Sequence, residues 1–176
     1  MSKQHQAIKD MTLVAICASI LFVQQLALSF LPNIQFSTLL VVLYTKVLGF
    51  KKTTFIITIH VLVVNFFSPF GSLIPIYIPA MFIAWMIIPI LLTTVFKRLD
   101  HAFELSLFGL FFGFLYGWVF VPFSVFFLDV PFKEYVLMDL PFEMLMAISN
   151  FVTILWLYDI LKKLLLEQTQ RYYLEK

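Results

Sequence analysis

"FGLFFGFLYGWVFVPF", residues 108 to 123, carries no charge and shows no alternation of polar with apolar positions. A strand crossing a bilayer alternates over segments of about ten residues, whereas a crossing helix needs about 20 apolar residues in succession. In lipid every backbone N–H and C=O must be satisfied within a helix or a closed barrel. Unbroken apolar length therefore predicts helix here, and "LLVVLYTKVL" at 39–48 reads the same way.

Working outward, the same reasoning finds six candidate helices, at about 11–31, 34–49, 53–70, 79–96, 104–127 and 139–163. The second and third are short, and a buried or tilted segment reads alike. The chain of 176 residues is 62% hydrophobic and 12% charged, with a mean hydropathy of +0.98. Soluble domains carry about 25% charged residues, so the composition points to a bilayer protein. The connections leave no room for a soluble domain. The expected fold is an all-α membrane protein, a single compact bundle of six transmembrane helices over 1–176. The first apolar run exceeds the 7–15 residues of a secretory h-region and lacks an Ala-x-Ala site, so it is expected to be retained. A lone Cys17 excludes a disulfide framework.

Six spans with the N-terminus inside place Lys3, Lys9, Lys46, Lys51, Lys52, Lys97, Arg98, Lys162, Lys163, Arg171 and Lys176 on one side. Those are eleven of the twelve basic residues, and only Lys133 is left outside. The positive-inside bias predicts an N-in, C-in topology. The outer side then holds one base against four acids, Asp129, Glu134, Asp139 and Glu143, a net of −3. Seven of eight prolines, among them Pro32, Pro69, Pro131 and Pro141, fall near outer helix ends. Proline fixes φ and starts helices better than it continues them. Such loops suit either short turns or the stiff lid of a pocket.

Asp139, Glu143, Met146 and Asn150 share one helical face that descends about 16 Å from the outer rim at 1.5 Å per residue. Polar groups at depth usually face an interior or a watery cavity. Local roles compete: Asp139 as a cap ahead of Pro141, Glu143 against the helix dipole, Asn150 as an interhelical hydrogen bond. Gln24, Gln25, Asn65, Trp85, Tyr116 and Trp118 fall at comparable depth, with Trp118 also suited to an interfacial belt. Apolar walls with a few hydrogen-bonding groups are the usual make-up of a small-molecule site. His60, nearer the centre, has no acid in its own helix and suits packing. Gly109, Gly113 and Gly117 form a GxxxGxxxG ridge, and Ala15 and Ser19 a small-xxx-small pair; both spacings permit close helix approach.

Absences narrow the function. The chain has no GxxxxGK[ST] loop, no HExxH and no GxSxG elbow. An intramembrane enzyme centred on His60 lacks a partner group. The basic residues follow a membrane edge, so no nucleic-acid partner is expected and no cofactor or metal is called for.

Helix number, the small pair in the first helix and an outward pocket resemble the S components, the substrate-binding subunits, of energy-coupling factor (ECF) vitamin transporters. "LALSFLPNIQFSTLLVVLYTKVLGFKKT" (26–53) is similar to the helix 1–2 junction of that family, and "DLPFEMLMAISNFVTILWLYDILKKLL" (139–165) to its sixth helix. The family's Ala-xxx-Ala contact with the coupling subunit is matched by Ala15 and Ser19, the second position differing. The resemblance implies capture of a water-soluble vitamin outside a bacterial plasma membrane. It also implies delivery inward with a membrane coupling (T) subunit and two cytoplasmic ATPase subunits, which fits the missing phosphate loop. Asp139, Glu143 and Asn150 would then hydrogen-bond the ligand, while Trp85, Tyr116 and Trp118 stack on a flat ring. A pyridoxine- or pyrimidine-like compound suits the acids, and cobalamin remains open. The alternative is a structural membrane protein of the cell-shape MreD type, similar in length and helix count, which needs no ligand.

Overall fold

A computed structural model describes residues 3–67 and 73–174. Pro69, the end of the expected third segment and Lys176 lie outside the described residues. Within them the chain is helical throughout, with no strand, and comprises five helices: α1 (Lys3–Ala27), α2 (Ser37–Phe66), α3 (Tyr77–Thr93), α4 (Ala102–Phe127) and α5 (Phe132–Leu174). Four of them, α1, α2, α4 and α5, are long and apolar enough to cross a membrane, whereas α3 has 17 residues. Large apolar side chains stand exposed along them, including Ile16, Ile20 and Val23 on α1 and Leu145, Ile148 and Val152 on α5. Apolar exposure on this scale suits lipid rather than water. The chain is a helical, membrane-type protein.

The six separate spans expected from the sequence are not what folds. The second and third candidates are two arms of α2, joined at Gly49, whose φ of 82° and ψ of 173° are non-helical. That region of backbone space is essentially open to glycine alone. The first arm is buried without interruption from Ser37 to Thr45. A helix apolar on all sides belongs in a core, and this arm is the centre of the bundle. It packs against α1, and α2 as a whole also meets α3, α4 and α5.

The last helix also departs from expectation. It begins at Phe132, not 139, and runs for 43 residues, about 64 Å at 1.5 Å per residue. That is twice the hydrocarbon thickness of about 30 Å. Its first turn closes on Pro131, whose carbonyl accepts from the Tyr135 N–H at 3.0 Å. Pro141 lies inside the helix rather than at its start. Proline there removes one ladder bond, a cost that a long helix anchored on both sides of it absorbs. Asp139 is consequently mid-helix and cannot act as an N-cap.

Close packing of α4 on α5 depends on the glycine ridge. A Cβ built on Gly113 would stand 2.5 Å from the Cα and N of Ala147, and one on Gly109 would stand 2.5 Å from Ile154 Cδ1. Real Cβ atoms do not approach that closely, so the ridge sets the spacing between the two helices. At the lysine-rich end α1, α2 and α5 are clamped together. Lys52 pairs with Asp10 at 2.8 Å and donates to the Tyr173 hydroxyl, which bonds Asp10 in turn. Lys9 donates to the Tyr172 carbonyl at 2.8 Å.

Candidate ligand-binding site

The opposite end, where α1 stops and α5 starts, is called here the acid end. Its loop 28–36 is fixed from both sides. Gln24 accepts from the Phe36 N–H at 2.9 Å and donates to Ser37 Oγ at 2.6 Å, tying the end of α1 to the start of α2. Asn33, in the left-handed conformation with φ 56°, donates to the Phe142 carbonyl of α5 at 3.0 Å. Asparagine tolerates that backbone better than most residues.

Two adjoining cavities lie beneath this loop. One, of about 420 Å³, is bounded by the loop together with Gln25, Tyr116, Asp139 and Phe142. The other, of about 230 Å³, is bounded by Met81, Tyr116, Phe120, Tyr135, Asp139, Glu143 and Met146, with Gly113 and Gly117 in its wall. Asn33, Tyr116 and Asp139 border both. Ligand pockets typically run from about 300 to 1,000 Å³, so the pair has the volume for a small heterocyclic molecule.

Gly117 explains how the carboxylates sit. A Cβ there would lie 2.7 Å from Asp139 Oδ2 and closer still to Glu143 Oε1. The missing side chain makes room for both acids against α4. Glu143 is only 6% exposed. Neither acid has a lysine or arginine partner; the two ion pairs among the described residues, Asp10–Lys52 and Asp100–Lys162, are both at the far end. Gln25 Oε1 is buried with no hydrogen-bond partner.

Behind Tyr116 the aromatic rings form a stack. The Trp85 ring centroid lies 5.2 Å from that of Tyr116 and 5.7 Å from that of Phe112, and Phe120 lies 5.2 Å from Tyr116 on the other side. His60 completes the row, edge-on to Trp85 at 6.1 Å, with both ring nitrogens buried and unpartnered.

Of the residues singled out in the sequence, Gln25, Tyr116, Asp139 and Glu143 meet around the two cavities. The others are placed elsewhere. Gln24 is occupied by the loop. Asn65 donates to the Val61 carbonyl at 2.8 Å and to Met81 Sδ at 3.4 Å, and so stands behind Met81. Trp85, buried, supports Tyr116 rather than bordering a cavity. Trp118 is 60% exposed on the outer side of α4, beside Pro122 and Phe132. Asn150 lies one turn below Met146 and donates to the Gly109 carbonyl. Ala15 and Ser19 are exposed on α1, with the Ser19 hydroxyl bonded to the Ala15 carbonyl.

Asn33, Tyr135, Phe120 and Met81 were not anticipated. Tyr135 stands one turn before Asp139 and continues the same stripe of α5; a helix read from 139 cuts it off. For Asn33 the signal was the "PN" pair at 32–33, a turn-forming sequence. Phe120 and Met81 carry no local signal that separates them from the other apolar residues of α4 and α3. No family model, curated protein or solved structure matches the chain.

Proposed function

We propose that this chain is the substrate-binding membrane subunit of an importer of the energy-coupling factor type, capturing a small water-soluble micronutrient at the acid end. In this reading the bundle lies in a bacterial plasma membrane with both termini cytoplasmic. The lysine-rich end then faces the cytoplasm, as the distribution of basic residues requires. A coupling subunit and two ATPases supply the energy that a chain without a phosphate loop cannot.

The observation that carries the reading is the pair of cavities meeting at Asn33, Tyr116 and Asp139. They adjoin buried polar groups that packing alone does not require. A pure scaffold of the MreD type has no use for such a hollow. It would also lean on the glycine ridge for partners, and α5 already covers that ridge. Exposed Ala15 and Ser19 offer a close-approach patch on α1 for a coupling subunit.

The test is purification of the tagged chain from its native membrane under mild detergent, with mass spectrometry of both proteins and small molecules. An integral coupling subunit and ATP-binding subunits are expected to accompany it, together with a small organic ligand that Asp139→Ala plus Glu143→Ala removes without loss of expression. Recovery with cell-shape proteins and no ligand would replace this function by the scaffold.

A further inference from the structure

The lining of the two cavities is asymmetric in charge and in hydrogen-bonding sense. Two acceptor groups border them without an ionic partner, the Asp139 and Glu143 carboxylates, and Gln25 lines the larger cavity. No lysine, arginine or histidine borders either cavity. Lys133, the nearest base along α5, is exposed on another face of the helix.

A carboxylate that is nine-tenths buried with no cation beside it is electrostatically incomplete. Asp139, half-buried four residues away on the same helix face, adds a second like charge beside Glu143. Packing does not force this arrangement. Gly117 is the position where any other residue would push the carboxylates away, and the chain leaves that space to them. Three aromatic rings, Tyr116, Phe120 and Tyr135, border the smaller cavity alongside the acids. Aromatic faces and carboxylates attract the same kind of guest, a positive charge.

We infer that the ligand of this site is a small organic cation bearing N–H donors, its charged nitrogen held between Asp139 and Glu143 and its flat body against Tyr116, Phe120 and Tyr135. This deepens the importer reading and rests on it for the ligand's passage, while the charge of the ligand follows from the cavity itself. The cation neutralises the paired acids, and its N–H groups satisfy acceptors that the protein leaves open. The larger cavity, with Gln25 and Asn33, holds the remainder of the molecule. An anionic ligand would meet two like charges and no donor from a basic side chain.

The experiment uses the full chain in detergent and three probes of one shape: benzylammonium, benzyl alcohol and benzoate. Binding is read by calorimetry and by the intrinsic fluorescence of Trp85, Trp118 and Trp156. Benzylammonium is expected to bind saturably, at least about ten-fold more tightly than benzyl alcohol, in line with charge-assisted hydrogen bonds being roughly twice as strong as neutral ones. Benzoate is expected not to bind. Asp139→Asn and Glu143→Gln, which preserve shape, are each expected to erase the preference for the ammonium while the protein stays monodisperse. A fourth probe, benzyltrimethylammonium, keeps the charge without N–H groups and is expected to bind more weakly than benzylammonium. No saturable binding of benzylammonium, equal binding of the alcohol or the acid, or a preference untouched by both substitutions would overturn the inference. Ammonium binding in a protein that recovers no ATPase subunit would sink the importer and leave the cation site standing. ATPase recovery with an anionic or neutral bound ligand would do the reverse.

Discussion

Asn150 of α5 reaches across to α4 and donates from Nδ2 to the carbonyl of Gly109 at 3.0 Å, with both residues fully enclosed by the two helices. The contact exists because Gly109 has no side chain: a Cβ there would stand 3.3 Å from Asn150 Cβ. Ridge and amide are therefore one device. The glycine permits the approach, and the amide bonds a carbonyl that the approach has brought within reach.

Replacing Asn150 by Ala deletes that bond and leaves a small void. Interhelical hydrogen bonds in membrane proteins contribute about 0.6 kcal/mol on average and up to about 1.7. Asn150 Oδ1 is already unpartnered, so its removal recovers part of the loss. The expected outcome is a destabilisation of about 1 kcal/mol, read from unfolding in mixed detergent micelles. A loss well above about 2 kcal/mol would mean that the amide has further partners.

Gly113→Ala is expected to cost more than its single methyl group suggests. The new Cβ would meet Ala147 Cα and N at 2.5 Å and Ala147 Cβ at 2.8 Å, and backbone atoms cannot rotate aside. The helices must separate, and overpacking of this kind costs about 1–3 kcal/mol. Gly113→Leu should abolish folding or leave only aggregate on size-exclusion chromatography. Wild-type unfolding midpoints for Gly113→Ala would show that α4 and α5 are not in contact as described.

Helix identity was legible in residues 108–123, because a long apolar run in lipid admits few other structures. The stripe Asp139–Glu143–Met146–Asn150 was legible for the same reason, as spacing on one helix follows from 3.6 residues per turn. What spacing cannot give is the partner face. Gln24 and Gln25 are neighbours in sequence, yet one ties a loop and the other borders a cavity, and only the path of loop 28–36 decides which. Asn65 and Trp118 are displaced from the cavities by the rotation of their helices, a quantity set by packing across the bundle. The break at Gly49 coincides with the expected end of the second candidate at 49, but the absence of any connecting loop was hidden. Lys51 and Lys52 mark a boundary there, but only the backbone shows two arms of one element.

Gly49 itself supports a clean prediction, since a Cβ at that position meets nothing within 4 Å. Any cost of substitution is then conformational. For an L-residue held at φ 82° and ψ 173° that cost is about 1–3 kcal/mol. Gly49→Ala and Gly49→Ser should destabilise by similar amounts in the unfolding assay, because side-chain size has no part in it. A large difference between the two would point to a neighbour above Gly49.

Asp100, in the connection between α3 and α4, makes stability depend on pH at the lysine-rich end. Its Oδ2 pairs with Lys162 Nζ at 2.6 Å, and Oδ1 accepts from the Tyr158 hydroxyl at 3.1 Å. Partial burial opposes its ionisation, but the Lys162 hydrogen bond and charge, the Tyr158 hydroxyl and Lys46 outweigh that and hold the carboxyl below its usual 3.8. Folding therefore favours the ionised form. The stabilisation is complete above the unfolded value near 3.8 and disappears as pH falls through the lower folded value. The Asp100 side chain is 55% exposed, so solvent screens the pair and the whole effect should stay within about 1 kcal/mol. Thermal midpoints of the wild type and Asp100→Asn, measured from pH 6 down to about pH 2, should differ by a constant amount at the upper end and converge on acidification. If the gap persists unchanged at the lowest pH, the contribution of Asp100 is packing and not charge.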